Sequence, residues 1–185
     1  MELDRVMRNR HSVKKFSSRK PDWKHIIEAI DAARYAPTAG GNYTLKFILV
    51  SDSEKINQIT EACQQHFVAQ AHYVVVACSL PGRLKNAYGK QGEVYARQQA
   101  GAAIENFLLK IEDFGLSTCW GGYFVESQIK RALKIPEEAN VEAVFPIGFE
   151  YEKPRTRKVK IDLDNILYFN SYGQKERSPP KAMNV

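Results

Sequence analysis

Cysteine is scarce in this chain and poorly placed for chemistry: Cys63, Cys78 and Cys119 are odd in number, widely separated and without a C-x-x-C. That pattern excludes a disulfide framework and points to no zinc or iron–sulfur centre, so all three read as reduced, buried thiols. Long hydrophobic runs are missing as well. The longest, around Tyr73 to Cys78, falls far short of the roughly 20 residues that span a bilayer. The opening MELDRVMRNR carries charge where a signal peptide needs an apolar stretch, so the expectation is a cytoplasmic protein with no membrane partner. Neither G-x-G-x-x-G nor G-x-x-x-x-G-K-[ST] occurs, which argues against a nucleotide held by a Rossmann turn or a P-loop. His25, His66 and His72 suit no common metal motif, and no metal is expected. Internal repeats and low-complexity segments are absent.

What is present is an ordinary globular composition, 44% hydrophobic and 26% charged over 185 residues, enough for one domain with a real core. The net charge of +6 is unevenly distributed. Residues 1 to 20 hold Arg5, Arg8, Arg10, Lys14, Lys15, Arg19 and Lys20 against Glu2 and Asp4, a net of +5. Residues 153 to 160 hold Lys153, Arg155, Arg157, Lys158 and Lys160 and no acid, another +5, so the remainder carries −4. Two basic clusters at opposite ends of the chain suit a local anion site built by bringing the ends together, or else simply solvated surface.

Apolar spacing gives the elements. Leu3, Val6 and Met7 repeat at helical spacing, and a second helix, N-capped by Asp22, is expected to bury Ile26, Ile27, Ile30 and Ala33 and to stop by Pro37. Gly40 and Gly41 then free the backbone for positive φ or close approach. Lys46 to Val50 reads as a strand, followed by a capping-box helix opened by Ser51-Asp52-Ser53-Glu54. Tyr73 to Ser79, bare of charge, reads as a strand covered on both faces. Pro81 to Gly92 reads as a loop, leading into the strongest helix, with Ala100, Ala103, Ile104, Phe107, Leu108, Ile111 and Phe114 on one face and Gly115 as its cap. A short strand over Ser117 to Trp120, a helix marked by Ile129 and Leu133, and a core strand from Val141 to Ile147 complete the pattern. The fold class expected is α+β, a central mixed or antiparallel sheet covered by helices. From Lys153 onward the pattern fades, so the tail is either disordered or packed on another surface, and its one apolar cluster, Ile166 to Phe169, favours packing for the first half.

Four segments, in order across about residues 3 to 160, resemble the nitroreductase family of flavin mononucleotide (FMN) proteins. Arg10-His11-Ser12-Val13-Lys14-Lys15-Phe16 is similar to the family's R-R/H-S-x-R/K-x-F, and Ala32 through Gly40, with Pro37-Thr38-Ala39-Gly40, to its A-A-x-x-A-P-S-S-G. Phe114 through Gly122 is similar to its G-L-G-x-x-W-x-G, and Pro146-Ile147-Gly148 followed by Lys153-Pro154-Arg155-Thr156-Arg157 to its I-G-Y and P-x-x-R. One departure stands out: where the family usually continues G-N-x-Q-P-W, this chain reads Gly40-Gly41-Asn42-Tyr43-Thr44-Leu45, with the asparagine displaced by one.

The resemblance implies a domain over 1–160, a C-terminal extension over 161–185 that first embraces a partner subunit and then is disordered, and a homodimer. It implies FMN as cofactor and NADH or NADPH as co-substrate, with hydride passing through the flavin to a small acceptor such as a nitroaromatic, a quinone or a flavin. Arg10, Arg155 and Arg157 match the phosphate ligands, and His11 and Ser12 the contacts along phosphate and ribityl chain. Lys14 matches the cation near ring N1 and O2, which tunes the flavin. Pro37, Thr38, Ala39, Gly40 and the displaced Asn42 match the loop over one ring face, and Gly121 and Gly122 the backbone near N5. No protein residue is assigned as a covalent catalyst, and Cys119, with no histidine near it in sequence, is not assigned as a nucleophile. Rival readings are a dehalogenase or flavin-destroying enzyme on the same fold, or a basic nucleic-acid-binding domain; the last lacks RRM, KH and helix-turn-helix signatures.

Overall fold

A computed structural model describes residues 2–152 and 161–176. The chain divides into two compact units, residues 1–153 and 154–185. In the first, α1 (Leu3–Asn9) and α2 (Trp23–Ala33) precede β1 (Leu45–Val50), α3 (Ser53–Cys63) and β2 (Tyr73–Ser79). Then come α4 (Gly82–Tyr88), α5 (Gln91–Asp113), β3 (Ser117–Thr118), α6 (Glu126–Leu133) and β4 (Asn140–Gly148). The strands form one antiparallel sheet in the order β1-β2-β4-β3. The fold is therefore α+β, as expected from the sequence.

The alternation of β2 explains its lack of charge. Tyr73, Val75 and Ala77 join a core with α2 and α5, while Val74, Val76 and Cys78 join a second core with α3 and α6, so both faces are dry. Strand β4 pairs beside it, Val75 opposite Phe145. A register shift between Ala77 and Cys78 leaves Glu142 unpaired in the ladder, and the Ser79 hydroxyl donates to that carboxylate. Small residues set the approach of the two main helices: Ala29 and Ala33 of α2 meet Ala100 and Ala103 of α5 in one cluster with Phe107 and Ile111. Helix α5 ends on Gly115, whose φ of 68° is the left-handed conformation that a helix stop requires. Cys63, Cys78 and Cys119 are all free and buried, and burial pushes the Cys63 and Cys78 thiols up to about 11.

Several sequence expectations need correction. The segment Pro81 to Gly92 is not a plain loop: α4 starts directly after Pro81, whose carbonyl accepts from the Lys85 amide at 2.8 Å. Leu84 is its only buried residue, so no apolar period could reveal it. Gly92 lets α5 start against α4, since a Cβ there would overlap the Leu84 carbonyl. Ser51 does not cap α3; Asp52 does, its carboxylate accepting from the Lys55 amide at 2.9 Å. Strand β3 stops at Thr118, short of Trp120. Ile27 is 46% exposed, Leu3 63% and Met7 45%, so the apolar faces of α1 and α2 are wider than this chain's own core. In the second unit, Leu163–Asn165 form a short 3-10 turn, Ile166 is exposed, and the Tyr168 ring lies 4.8 Å from that of Tyr172. Among the described residues no helix is long and apolar enough to cross a membrane.

Candidate functional site

Helix α1 ends at Arg10, whose amide donates to the Val6 carbonyl, and the chain then runs extended along one end of the sheet. The Val13 amide donates to Thr118 at 3.0 Å, the Ser17 amide to Phe149 at 2.9 Å, and the Tyr151 amide to Lys15 at 3.0 Å. Ser12 pairs with Thr118 as a parallel bridge and Phe16 with Glu150 as an antiparallel one. Extended backbone sends neighbouring side chains to opposite sides, so Val13 is buried while Ser12 and Lys14 stay exposed. Gly148 makes room for this segment: a Cβ there would lie 2.9 Å from the Phe16 ring.

The cations of this segment are mostly matched. Arg10 Nε lies 3.5 Å from Glu105 Oε1 of α5, and Lys15 Nζ lies 3.9 Å from Glu152 Oε1 and over the Tyr151 ring. His11 Nε2 lies 3.0 Å from Glu150 Oε1, and its Nδ1 lies 2.8 Å from the Asn9 carbonyl. Both ring nitrogens thus face acceptors, an arrangement only the imidazolium satisfies. Burial, the largest single influence, opposes that charge. The hydrogen bonds to Glu150 and Asn9, with the charges of Glu150 and Glu112, outweigh it and hold His11 above its ordinary 6.5. Glu112 is lifted above the usual carboxylate range, chiefly by burial. Lys14 differs from its neighbours. Among the described residues it has no carboxylate partner, only the Phe67 ring 5.6 Å away.

Beside Lys14 lie the residues that follow β3. Burial raises the Cys119 thiol, while Lys14 and a hydrogen bond with Ser12 pull it the other way. Thr118 is 6% exposed, and its Oγ1 has no hydrogen-bond partner among the described residues. Gly121 exchanges both backbone hydrogen bonds with Val144 at 2.9 Å, and a Cβ on it would press to 3.0 Å on the Val144 carbonyl. Gly122 is exposed, with nothing nearer to a Cβ position than the Trp120 indole at 3.9 Å.

The loop after α2 is held elsewhere on α5. Gly40 and Gly41, at φ of 56° and 71°, make a tight turn, and a Cβ on Gly40 would run into the Tyr88 hydroxyl. Asn42 Nδ2 donates to the Gly40 carbonyl at 3.2 Å, so its side chain closes its own turn. Gln99, 3% exposed, clamps the loop: its Nε2 donates to the Asn42 carbonyl at 3.1 Å, and its Oε1 accepts from the Thr44 amide at 2.8 Å and hydroxyl at 2.6 Å. Pro37 is exposed, and Thr38 and Ala39 are half-buried.

The structure therefore brings Arg10, His11, Ser12 and Lys14 alongside Thr118 and Cys119, three residues before Gly121 and Gly122. It does not join Pro37, Thr38, Ala39, Gly40 or Asn42 to them: among the described residues no hydrogen bond or ion pair links the two groups. Their anchors on α5, Gln99 and Glu105, are roughly 9 Å apart along the helix. Arg155 and Arg157 lie outside the described residues. Sequence reasoning missed Glu105, Glu150, Thr118 and Gln99. Only Gln99 left a signal, as a polar residue within the apolar stripe of α5.

Comparison with known proteins identifies the family and the fold. The sequence model of the nitroreductase family matches residues 7–68 and 60–149. A nitroreductase family protein of Clostridium novyi NT has a crystal structure that superposes with a TM-score of 0.76 at 29% identity, over 94% of this chain and 96% of that one. An Archaeoglobus fulgidus protein, provisionally named NADH dehydrogenase/NAD(P)H nitroreductase, is 28% identical over 153 residues, 80% of this chain and 85% of its own. The NADPH:FMN oxidoreductase of Vibrio harveyi, solved with NAD+, shares the fold at a TM-score of 0.81 and 20% identity, over 93% of this chain and 78% of that one. With its sequence matched along most of its length and its fold shared, the chain belongs to the nitroreductase family of oxidoreductases.

Proposed function

We propose that this chain is an FMN-dependent oxidoreductase that works as a homodimer, taking hydride from NADH or NADPH and delivering it to a small acceptor such as a nitroaromatic, a quinone or a flavin. The observation that carries the reading is Lys14, an exposed cation without a carboxylate partner among the described residues, on the extended segment that the Val13 amide ties to Thr118, just ahead of Gly121 and Gly122. Such a cation suits a polar, electron-rich ligand edge.

FMN, when bound, supplies the hydride chemistry. Arg10 holds the phosphate together with Arg155 and Arg157; the Arg10 contact to Glu105 engages only part of a guanidinium that has five N–H donors. His11 and Ser12 serve the ribityl and phosphate, and Lys14 stabilises negative charge on the pyrimidine side of the ring. Gly122 is exposed and carries no side chain, which lets a flat ring approach its backbone closely, with the half-buried Gly121 tied to Val144 beside it. Pro37, Thr38, Ala39, Gly40 and Asn42 cover a ring face from the partner subunit, which accords with their separation from Lys14 within one chain. The measurement is direct: purified protein titrated with FMN and with riboflavin, then mixed with NADH or NADPH. The expected result is a yellow protein that prefers FMN and is bleached by one or both nucleotides; a protein that takes up no flavin ends the reading.

A further inference from the structure

We infer that a second site, beside the Gln99-clamped loop and distinct from the Arg10 to Lys14 strand, binds the phosphorylated adenosine half of the nicotinamide nucleotide. A cavity of about 560 Å³ opens there, lined by Tyr43, Lys46, Leu80, Pro81, Arg83 and Lys85. That volume falls within the range of small-molecule pockets, and its composition mixes flat or apolar surfaces with a few charges.

The charge is one-sided. Lys46, Arg83 and Lys85 face a single acid, Glu138. Lys85 is engaged 3.3 Å from Glu93, but Lys46 and Arg83 form no ion pair among the described residues. Two unpaired cations lining the same cavity as the Tyr43 ring match a molecule that is flat at one end and anionic next to it. The wall is also fixed in advance. Thr44 is tied twice to Gln99, and its carbonyl accepts from the Leu80 amide at 2.9 Å, so Tyr43 sits between two pinned residues and little ordering is left for a ligand to impose.

Position selects the occupant. Tyr43 directly follows Asn42, the end of the loop set against the flavin ring under the oxidoreductase reading, on which this inference rests. A dinucleotide is long, with its hydride-bearing ring at one end and phosphorylated adenosine at the other. The cavity next to that loop takes the second end. It also falls in the segment where the sequence departs from the family's G-N-x-Q-P-W, in Tyr43 and Thr44.

The test uses the double variant Lys46→Ala/Arg83→Ala, both exposed positions, with unchanged circular dichroism and flavin content as the check on folding. AMP, titrated by ligand-observed NMR, binds the wild type and weakens about 10-fold in the variant, the lower end of what contacts to charged groups supply. KM for NADH and NADPH rises by a similar factor at unchanged kcat, while KM for reduced nicotinamide mononucleotide, which lacks the adenosine half, and for a neutral quinone stays constant. AMP affinity or dinucleotide KM unmoved by the variant overturns the site, as does an equal rise for the mononucleotide. A wild type that takes up FMN yet fails these arms refutes only this inference; one that takes up no flavin refutes the underlying reading.

Discussion

At the scale of single residues, the site is a set of charges whose partners decide what they can do. Arg10 is the described member of the proposed phosphate clamp. A hydrogen bond to a charged group contributes roughly 1.5 to 3 kcal/mol, so Arg10→Ala should weaken FMN by about 10- to 150-fold. Riboflavin has no phosphate, and its affinity should stay almost constant; fluorescence titration of both ligands checks this, and equal losses would assign Arg10 to folding. His11 makes a second case. Its charged form contributes stability that is fully present below its ordinary 6.5 and is lost as pH rises through its raised value, because the folded state binds the proton more tightly. Glu150→Gln removes the main attraction and leaves burial to dominate, so His11 should titrate lower and the loss of stability across that window should flatten. The His11 ring-proton NMR titration reads the first effect, and denaturation midpoints from pH 6 upward read the second.

At the scale of elements, Gln99 ties α5 to the loop before β1. Gln99→Leu keeps an apolar stripe but strands the Thr44 amide, the Thr44 hydroxyl and the Asn42 carbonyl, for a loss of about 2 to 4 kcal/mol. Chemical denaturation should show it, and Thr44 amide exchange should accelerate more than exchange in β2. Elements whose side chains meet a core were legible in the sequence: β2 from its bare apolar run, α5 from seven apolar positions on one face. Helix α4 was not, because one buried residue gives no period. The cations at Arg10 to Lys14 stood out as a pattern, but their carboxylates did not. His11 and Glu150 are 139 residues apart, and only the folded backbone makes them neighbours.

For the whole molecule, the exposed apolar residues speak together. Leu3, Met7 and Ile27 in the first unit follow apolar patterns without being covered, and Ile161, Leu163 and Ile166 in the second are exposed. The proposed homodimer would cover them, and sedimentation should then give twice the 21.1 kDa of the chain. Truncation after Tyr151 should yield monomers and release flavin, since it removes the proposed embrace together with Arg155 and Arg157. A truncated protein that remains a yellow dimer would refute both roles.

The seam between Arg10–Phe16 and the far end of the sheet also dictates when this protein can be finished. The backbone bonds that join this stretch to the sheet reach Thr118, Phe149 and Tyr151, more than 100 residues further on. As a ribosome delivers the chain from its N-terminus, α2 and β1 can find partners early, while the strand bearing Arg10, Ser12 and Lys14 waits for nearly the whole first unit to emerge. The proposed anion-binding edge is therefore among the last parts to assemble on a nascent chain, and Arg10 and His11 wait for Glu105 and Glu150.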